Sequence, residues 1–195
     1  GYKSFLSILL KQKNILLDQN ILSIDLEKKI IATDKKKIRY DFLISSIPLT
    51  EICKLIKKLP KKVLFASRKL NYTSGVLVSL GIKKVIKSEM WFYIYNKNIK
   101  AARVHSPSLK SIANAPKGCS SLQAEIYLDK NEIINQKKLK EIENNTINNL
   151  IKMGLFEKND IIAKDIRYVK YANVLFDKKI YDYRKIVKDF LNNKK

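Results

Sequence analysis

The chain has 195 residues, 46% of them hydrophobic, which suits one large domain or two small ones around a sizeable core. No apolar run reaches the roughly 18–20 residues a bilayer span needs, and no signal-peptide pattern opens the sequence, so a reducing cytoplasm is the expected setting. Cys53 and Cys119 are too few for a disulfide framework and lack metal-ligand spacing.

The formal charge of +22 invites a nucleic-acid reading, but only five of the 40 basic residues are arginine: Arg39, Arg68, Arg103, Arg167 and Arg184. Arginine is the residue suited to forked phosphate and base contacts. The lysines are spread along the chain among abundant Ile and Asn, the pattern an A·T-rich coding sequence produces. No RNP motif, zinc finger or basic zipper is present. Solvated lysine surface is therefore the expectation, with no specific nucleic acid as partner. A basic module binding nucleic acid or another polyanion is the competing class, and a steep fall of affinity with salt would mark it.

In chain order, Tyr2–Gln12 places Phe5, Leu6, Leu9 and Leu10 on one helical face. Ile15–Asp25 reads as a strand with a polar interruption. Lys28–Thr33 and Lys37–Tyr40 continue as short strands between charged turns. Together they form a meander feeding Phe42–Ser46, an apolar, β-branched run that predicts a short buried strand at the centre of the sheet. Pro48 has no amide proton, so pairing stops there, and Leu49, Ile52, Leu55 and Ile56 have helical spacing with Thr50 as N-cap. Such a strand-turn-helix corner is either ordinary structure or a place where α/β proteins seat a ligand.

A second short helix begins at Pro60-Lys61-Lys62 and runs to about Ser67. Tyr72–Ile82 alternates Val76, Val78 and Leu80 against small or polar neighbours, a strand with one buried face. Gly75 and Gly81 mark either a bulge and a strand end or a close approach. Trp91–Tyr95 is an aromatic strand, Asn96-Lys97-Asn98 its turn, and Ala101–His105 the returning strand. A Pro- and Ser-rich loop leads to the strand Ser121–Leu128. The longest helix is Asn135–Met153, with Leu139, Ile142, Ile147, Leu150 and Ile151 as its buried stripe and Gly154 as its stop. Ile161–Ala172 is a charged strand and Tyr181–Leu191 a final amphipathic helix. The fold class is α+β: a mixed, mostly antiparallel sheet with helices inserted between groups of strands, in a single domain without internal repeats.

Little of this looks like an autonomous active site. His105 is the only histidine, which excludes two-histidine metal sites. There is neither a G-x-G-x-x-G nor a P-loop. Glu125, in an alternating strand, is either a solvent-facing carboxylate or a buried partner for Arg103. The rings of Trp91, Phe92, Tyr93 and Tyr95 serve either core packing or a pocket wall.

Several segments together resemble one known group. Tyr40–Leu49 (YDFLISSIPL) resembles the "yD-x-visTiPl" segment of the flavin-dependent amine-oxidase and protoporphyrinogen-oxidase-like superfamily, which includes UDP-galactopyranose-mutase-like proteins. Gly1–Phe5 and Ile15–Ile24 are similar to its "P-x-GGy-x-sl" end and following strand. Arg103–Pro107 with Pro116–Glu125 resembles "fhRi-x-x-p … P-x-g-x-tsl-x-aE". Tyr171–Val174 with Tyr181 resembles "ayPvy … y", with Asn173 in place of the family's proline.

The resemblance implies the middle, substrate-side portion of an FAD-dependent oxidoreductase acting on a small molecule, with a sugar nucleotide in surface-polysaccharide synthesis as the analogy. Two parts of the family pattern are missing: the amino-terminal dinucleotide-binding unit and the Gly-Arg segment that closes over the flavin. Alone, the chain is therefore expected to bind FAD poorly. Carried over by position, Ile21 matches the residue whose backbone meets the adenine, and Ser46, Ile47 and Pro48 match the turn near the cofactor. Tyr72, Trp91, Tyr93 and Arg103 fall on strands like those that wall the substrate pocket, with Arg103 pairing an anionic substrate group.

Overall fold

The computed structural model describes residues 14–193; the helix expected over Tyr2–Gln12 lies outside them. The described residues divide into two compact units, 72–173, and 14–71 with 174–193.

The larger unit is built on an antiparallel backbone of long strands. Strand β4 (Tyr72–Ile82) pairs along its length with β7 (Ser120–Asp129), from Thr73 opposite Asp129 to Ile82 opposite Ser120. Strands β5 (Trp91–Tyr93) and β6 (Ala101–His105) extend the sheet on one side and β8 (Ile161–Val174) on the other, giving the order β5-β6-β7-β4-β8. Alternation fixes the faces. Val76, Val78, Leu80 and Ile82 of β4 and Leu122, Ala124, Ile126 and Leu128 of β7 are buried in one core. Helix α4 (Gln136–Lys152) covers that face with Ile142, Ile147 and Leu150, while Leu139 and Ile151 pack at its margin.

The ends of α4 follow from local chemistry. The Asn135 side chain accepts from the Lys138 backbone amide at 2.9 Å, capping the first turn. Gly154 ends the helix at φ +76°, a conformation that suits glycine. Of the two readings for Gly75 and Gly81, close approach is the correct one. A Cβ on either would come within 3.1 Å of the Ala172 or Ala163 methyl on β8.

The smaller unit holds the meander β1 (Ile21–Asp25), β2 (Ile30–Thr33) and β3 (Lys37–Arg39), paired antiparallel in that order. Helices α1 (Leu49–Leu55), α2 (Lys61–Lys69) and α5 (Ile180–Asn192) pack beside it. Ile24, Ile52 and Ile56 form one apolar cluster, and Cys53, Val63, Ala66 and Val187 a second. The short helix α3 (Pro107–Lys110) lies in the Ser-rich loop of the larger unit. The fold is α+β with mostly antiparallel sheets, as the element pattern predicts. No helix among the described residues is long and apolar enough to cross a membrane.

Two local expectations fail. Phe42–Ser46 is neither a strand nor buried: Phe42 is 92% and Ile44 97% exposed. Strand propensity is expressed only where a neighbouring strand satisfies the backbone, and no backbone group of Phe42–Ser46 hydrogen-bonds to the backbone of another described residue. Thr50 is not the N-cap. Pro48 holds that position, and its carbonyl accepts from the amides of Glu51 (2.8 Å) and Ile52 (3.0 Å).

The core predicts its own weak points. Leu150 is fully buried, so Leu150→Ala should cost about 3 kcal/mol, and removing the cap by Asn135→Ala about 1 kcal/mol. Urea unfolding followed through the single tryptophan, Trp91, measures both, since it lies in the same unit.

Candidate functional site

The face of the five-stranded sheet opposite α4 carries the polar chemistry. Because Leu122, Ala124, Ile126 and Leu128 point into the core, Gln123, Glu125 and Tyr127 stand on the other side of β7. Across the sheet, Glu125 lies opposite Arg103 and Leu77, Gln123 opposite His105 and Ser79, and Tyr127 opposite Gly75. On β5, Tyr93 lies opposite Arg103 and Trp91 opposite His105.

A break in register sets this arrangement. Between Ala101 and Arg103 the pairing of β6 with β7 shifts, so Ala101 and Val104 both reach the core although they differ in parity. The extra residue turns Arg103 and His105 to the open face.

Glu125 is the hub. Arg103 donates from Nη2 to both carboxylate oxygens, at 2.7 and 2.8 Å. The Tyr127 hydroxyl donates to Oε2 at 2.6 Å, and His105 Nδ1 lies 3.5 Å from Oε1. Gln123 is held separately, its amide donating to Ser79 Oγ at 2.9 Å. Burial pushes the Glu125 carboxyl up, but the bonds from Arg103 and Tyr127 outweigh it, and the group sits below its ordinary range. Burial and then the charge of Lys110 lower His105, against the opposing pull of Glu125. Tyr127 is raised, by burial first and by its bond to Glu125 next.

Gly75 and Leu77 of β4 and Tyr171, Ala172 and Asn173 of β8 close a cavity of about 270 Å³ around Arg103, Gln123, Glu125 and Tyr127. Trp91 and Tyr93 flank it on the same face, 53% and 54% exposed, as neither core residues nor enclosed walls. Phe92, between them, packs against the core. The structure thus brings Trp91, Tyr93 and Arg103 together. Tyr72 is set apart: it has the parity of the core-facing residues of β4, and its ring packs on Tyr171 with centroids 4.5 Å apart. Of the alternatives for Glu125, the partner of Arg103 is the correct one.

The residues matched to the cofactor lie in the smaller unit. Ile21 is half-buried at the start of β1 and packs against the Ile24, Ile52 and Ile56 cluster. Ser46 and Pro48 are exposed, and Ile47 leans on the same cluster. Beside them, a cavity of about 680 Å³ is lined largely by apolar side chains, among them Ile24, Phe42, Ile44, Ile47, Ile56 and Leu191. This lining suits an apolar or flat occupant. It offers no glycine-rich turn for a pyrophosphate, so these residues do not by themselves fit a whole FAD.

No protein-family model and no curated protein sequence matches the chain. Solved structures do. A reduced UDP-galactopyranose mutase superposes with a TM-score of 0.77 at 20% identity over 90% of this chain and 39% of its own. A protoporphyrinogen-oxidase-like protein from Exiguobacterium sp. 255-15 gives 0.73 at 16% over 100% of this chain and 44% of its own. An oxidoreductase from Methanosarcina mazei gives 0.53 at 14% over 78% and 36%. The chain therefore shares its fold with part of a UDP-galactopyranose mutase and of a protoporphyrinogen-oxidase-like protein, as its motifs imply. It spans about two fifths of the length of the structures it matches.

The open-face cluster makes acid destabilising. Folded His105 has a pKa below its ordinary 6.5, so protonation favours the unfolded chain as pH drops below that value. Folded Glu125 lies below 4.5, so its contribution is complete above 4.5 and disappears as pH falls through the lower folded value. Unfolding free energy should therefore be flat from about pH 6.5 up to the range where cysteine and tyrosine begin to titrate, and decline in acid; Glu125→Gln should shrink the lower step, which Asp25 and Asp160 share. Urea midpoints measured across pH test this.

Proposed function

We propose that this chain is the substrate-binding portion of an FAD-dependent amine-oxidase-like oxidoreductase acting on a small molecule. The observation that carries the reading is the open sheet face, where Trp91, Tyr93 and Arg103 stand together beside a half-open cavity. The shared fold with a UDP-galactopyranose mutase supports a sugar nucleotide as the substrate, with synthesis of surface polysaccharide as the setting.

On this reading Ile21 and the Ser46-Ile47-Pro48 turn contribute one edge of the flavin site, and Tyr72 lies at the margin of the substrate wall. The bound flavin would supply the redox chemistry, while this chain holds and orients the substrate. The pyrophosphate contact comes from a dinucleotide-binding unit outside these 195 residues, since no G-x-G-x-x-G occurs among them. The chain then works as one portion of a longer flavoenzyme.

The reading is tested by sequencing the source transcript past both ends of this chain and expressing what the reading frame encodes. A G-x-G-x-x-G after a strand upstream, a Gly-Arg segment downstream and a yellow protein with one bound FAD are expected. The 195-residue chain alone should bind no stoichiometric FAD by equilibrium dialysis. Stop codons on both sides, or a colourless longer protein, would overturn the reading.

A further inference from the structure

We propose that Glu125 is a specificity determinant: by occupying Arg103 it makes the cavity on the open sheet face a seat for an uncharged, hydrogen-bonding part of a ligand, a hydroxyl or carbonyl group, and excludes phosphate and carboxylate there. The inference rests on the substrate-side reading and changes what Arg103 does within it.

The geometry carries the argument. Arg103 and Glu125 are the only charged side chains in the cavity's described lining. One guanidinium nitrogen reaches both carboxylate oxygens at 2.7 and 2.8 Å, so the two charges cancel locally. An incoming anion drawn to Arg103 meets the Glu125 carboxylate at similar range. Its repulsion from that carboxylate offsets the attraction of the arginine.

The carboxylate cannot simply swing away. Tyr127 donates to its second oxygen at 2.6 Å, and Glu125 as a whole is only 8% exposed. Nor does the cluster gain a second cation. His105, 3.5 Å from Glu125, is biased toward its neutral form by burial. The other polar groups lining the cavity, Gln123, Tyr127 and Asn173, are uncharged amides and a hydroxyl, and Trp91 and Tyr93 are exposed on the same side. That set suits a neutral, hydroxyl-bearing ring. No lysine lines the cavity itself.

The test uses the 195-residue chain and inorganic phosphate as the probe. Trp91 is the only tryptophan and faces His105 across the strand pair, so its fluorescence reports this face and not the lysine surface elsewhere. Phosphate is titrated at constant ionic strength against chloride. Wild type should give no saturable change. Glu125→Gln keeps a side-chain oxygen for Arg103 but frees the guanidinium charge, and should bind phosphate at least ten-fold more tightly. Tyr127→Phe, which keeps the carboxylate charge and its two bonds from Arg103, should behave as wild type. A general loosening of the sheet would instead affect both variants alike. Saturable phosphate binding by wild type overturns the proposal even if Glu125→Gln fails to fold. So does a folded Glu125→Gln protein with no gain. Neither result depends on whether a longer polypeptide holds FAD, so failure here is distinguishable from failure of the flavoenzyme reading.

Discussion

The register of β4 against β7 is the constraint on which the larger unit depends. Side chains alternate faces with a period of two, so a slip of one residue would bring Gln123, Glu125 and Tyr127 into the core and expose Leu122, Ala124 and Ile126. Burying an ionised carboxylate without its partner is far costlier than a cavity left by a lost methyl group. The apolar set therefore selects the register, and the register in turn places the polar set. The site is a by-product of packing on the other face of the same strand.

The irregularity between β6 and β7 matters as much as that regularity. Without the register shift at Ala101–Arg103, strict alternation would send either Ala101 or Val104 away from the core. With it, both remain buried and Arg103 meets Glu125. A bulge of this kind costs little and re-aims a side chain, which is why such features gather where sheets bind ligands.

Most elements were legible in the sequence because their signals were local and redundant. Tyr72–Ile82 and Ala101–His105 have the predicted ends, and α4 has its apolar stripe, the asparagine ahead of it and the glycine behind it. Phe42–Ser46 misled for the opposite reason. Its residues suit a strand, yet a strand is a property of two segments, and one-segment reasoning cannot see whether the second is there. On the open face, the pairing of Arg103 with Glu125 was one of two readings the sequence offered, while Tyr127 was not singled out. The signal for Glu125 and Tyr127 was present in S-L-Q-A-E-I-Y-L, where every polar or half-polar residue falls on one parity. What the sequence could not supply was the phase of β6 against that strand, which the bulge decides.

The exposed Phe42–Ile44 stretch gives the lysine surface a physical role that needs no polyanionic partner. An apolar, β-prone segment with unpaired backbone is a template for joining copies edge to edge. Between molecules of net charge +22, mutual repulsion acts as a colloidal barrier to that encounter. The barrier is only as thick as the ion atmosphere permits, about 10 Å at 0.1 M salt and about 3 Å at 1 M. Added salt thins that barrier and lets the exposed apolar segments of two molecules come closer.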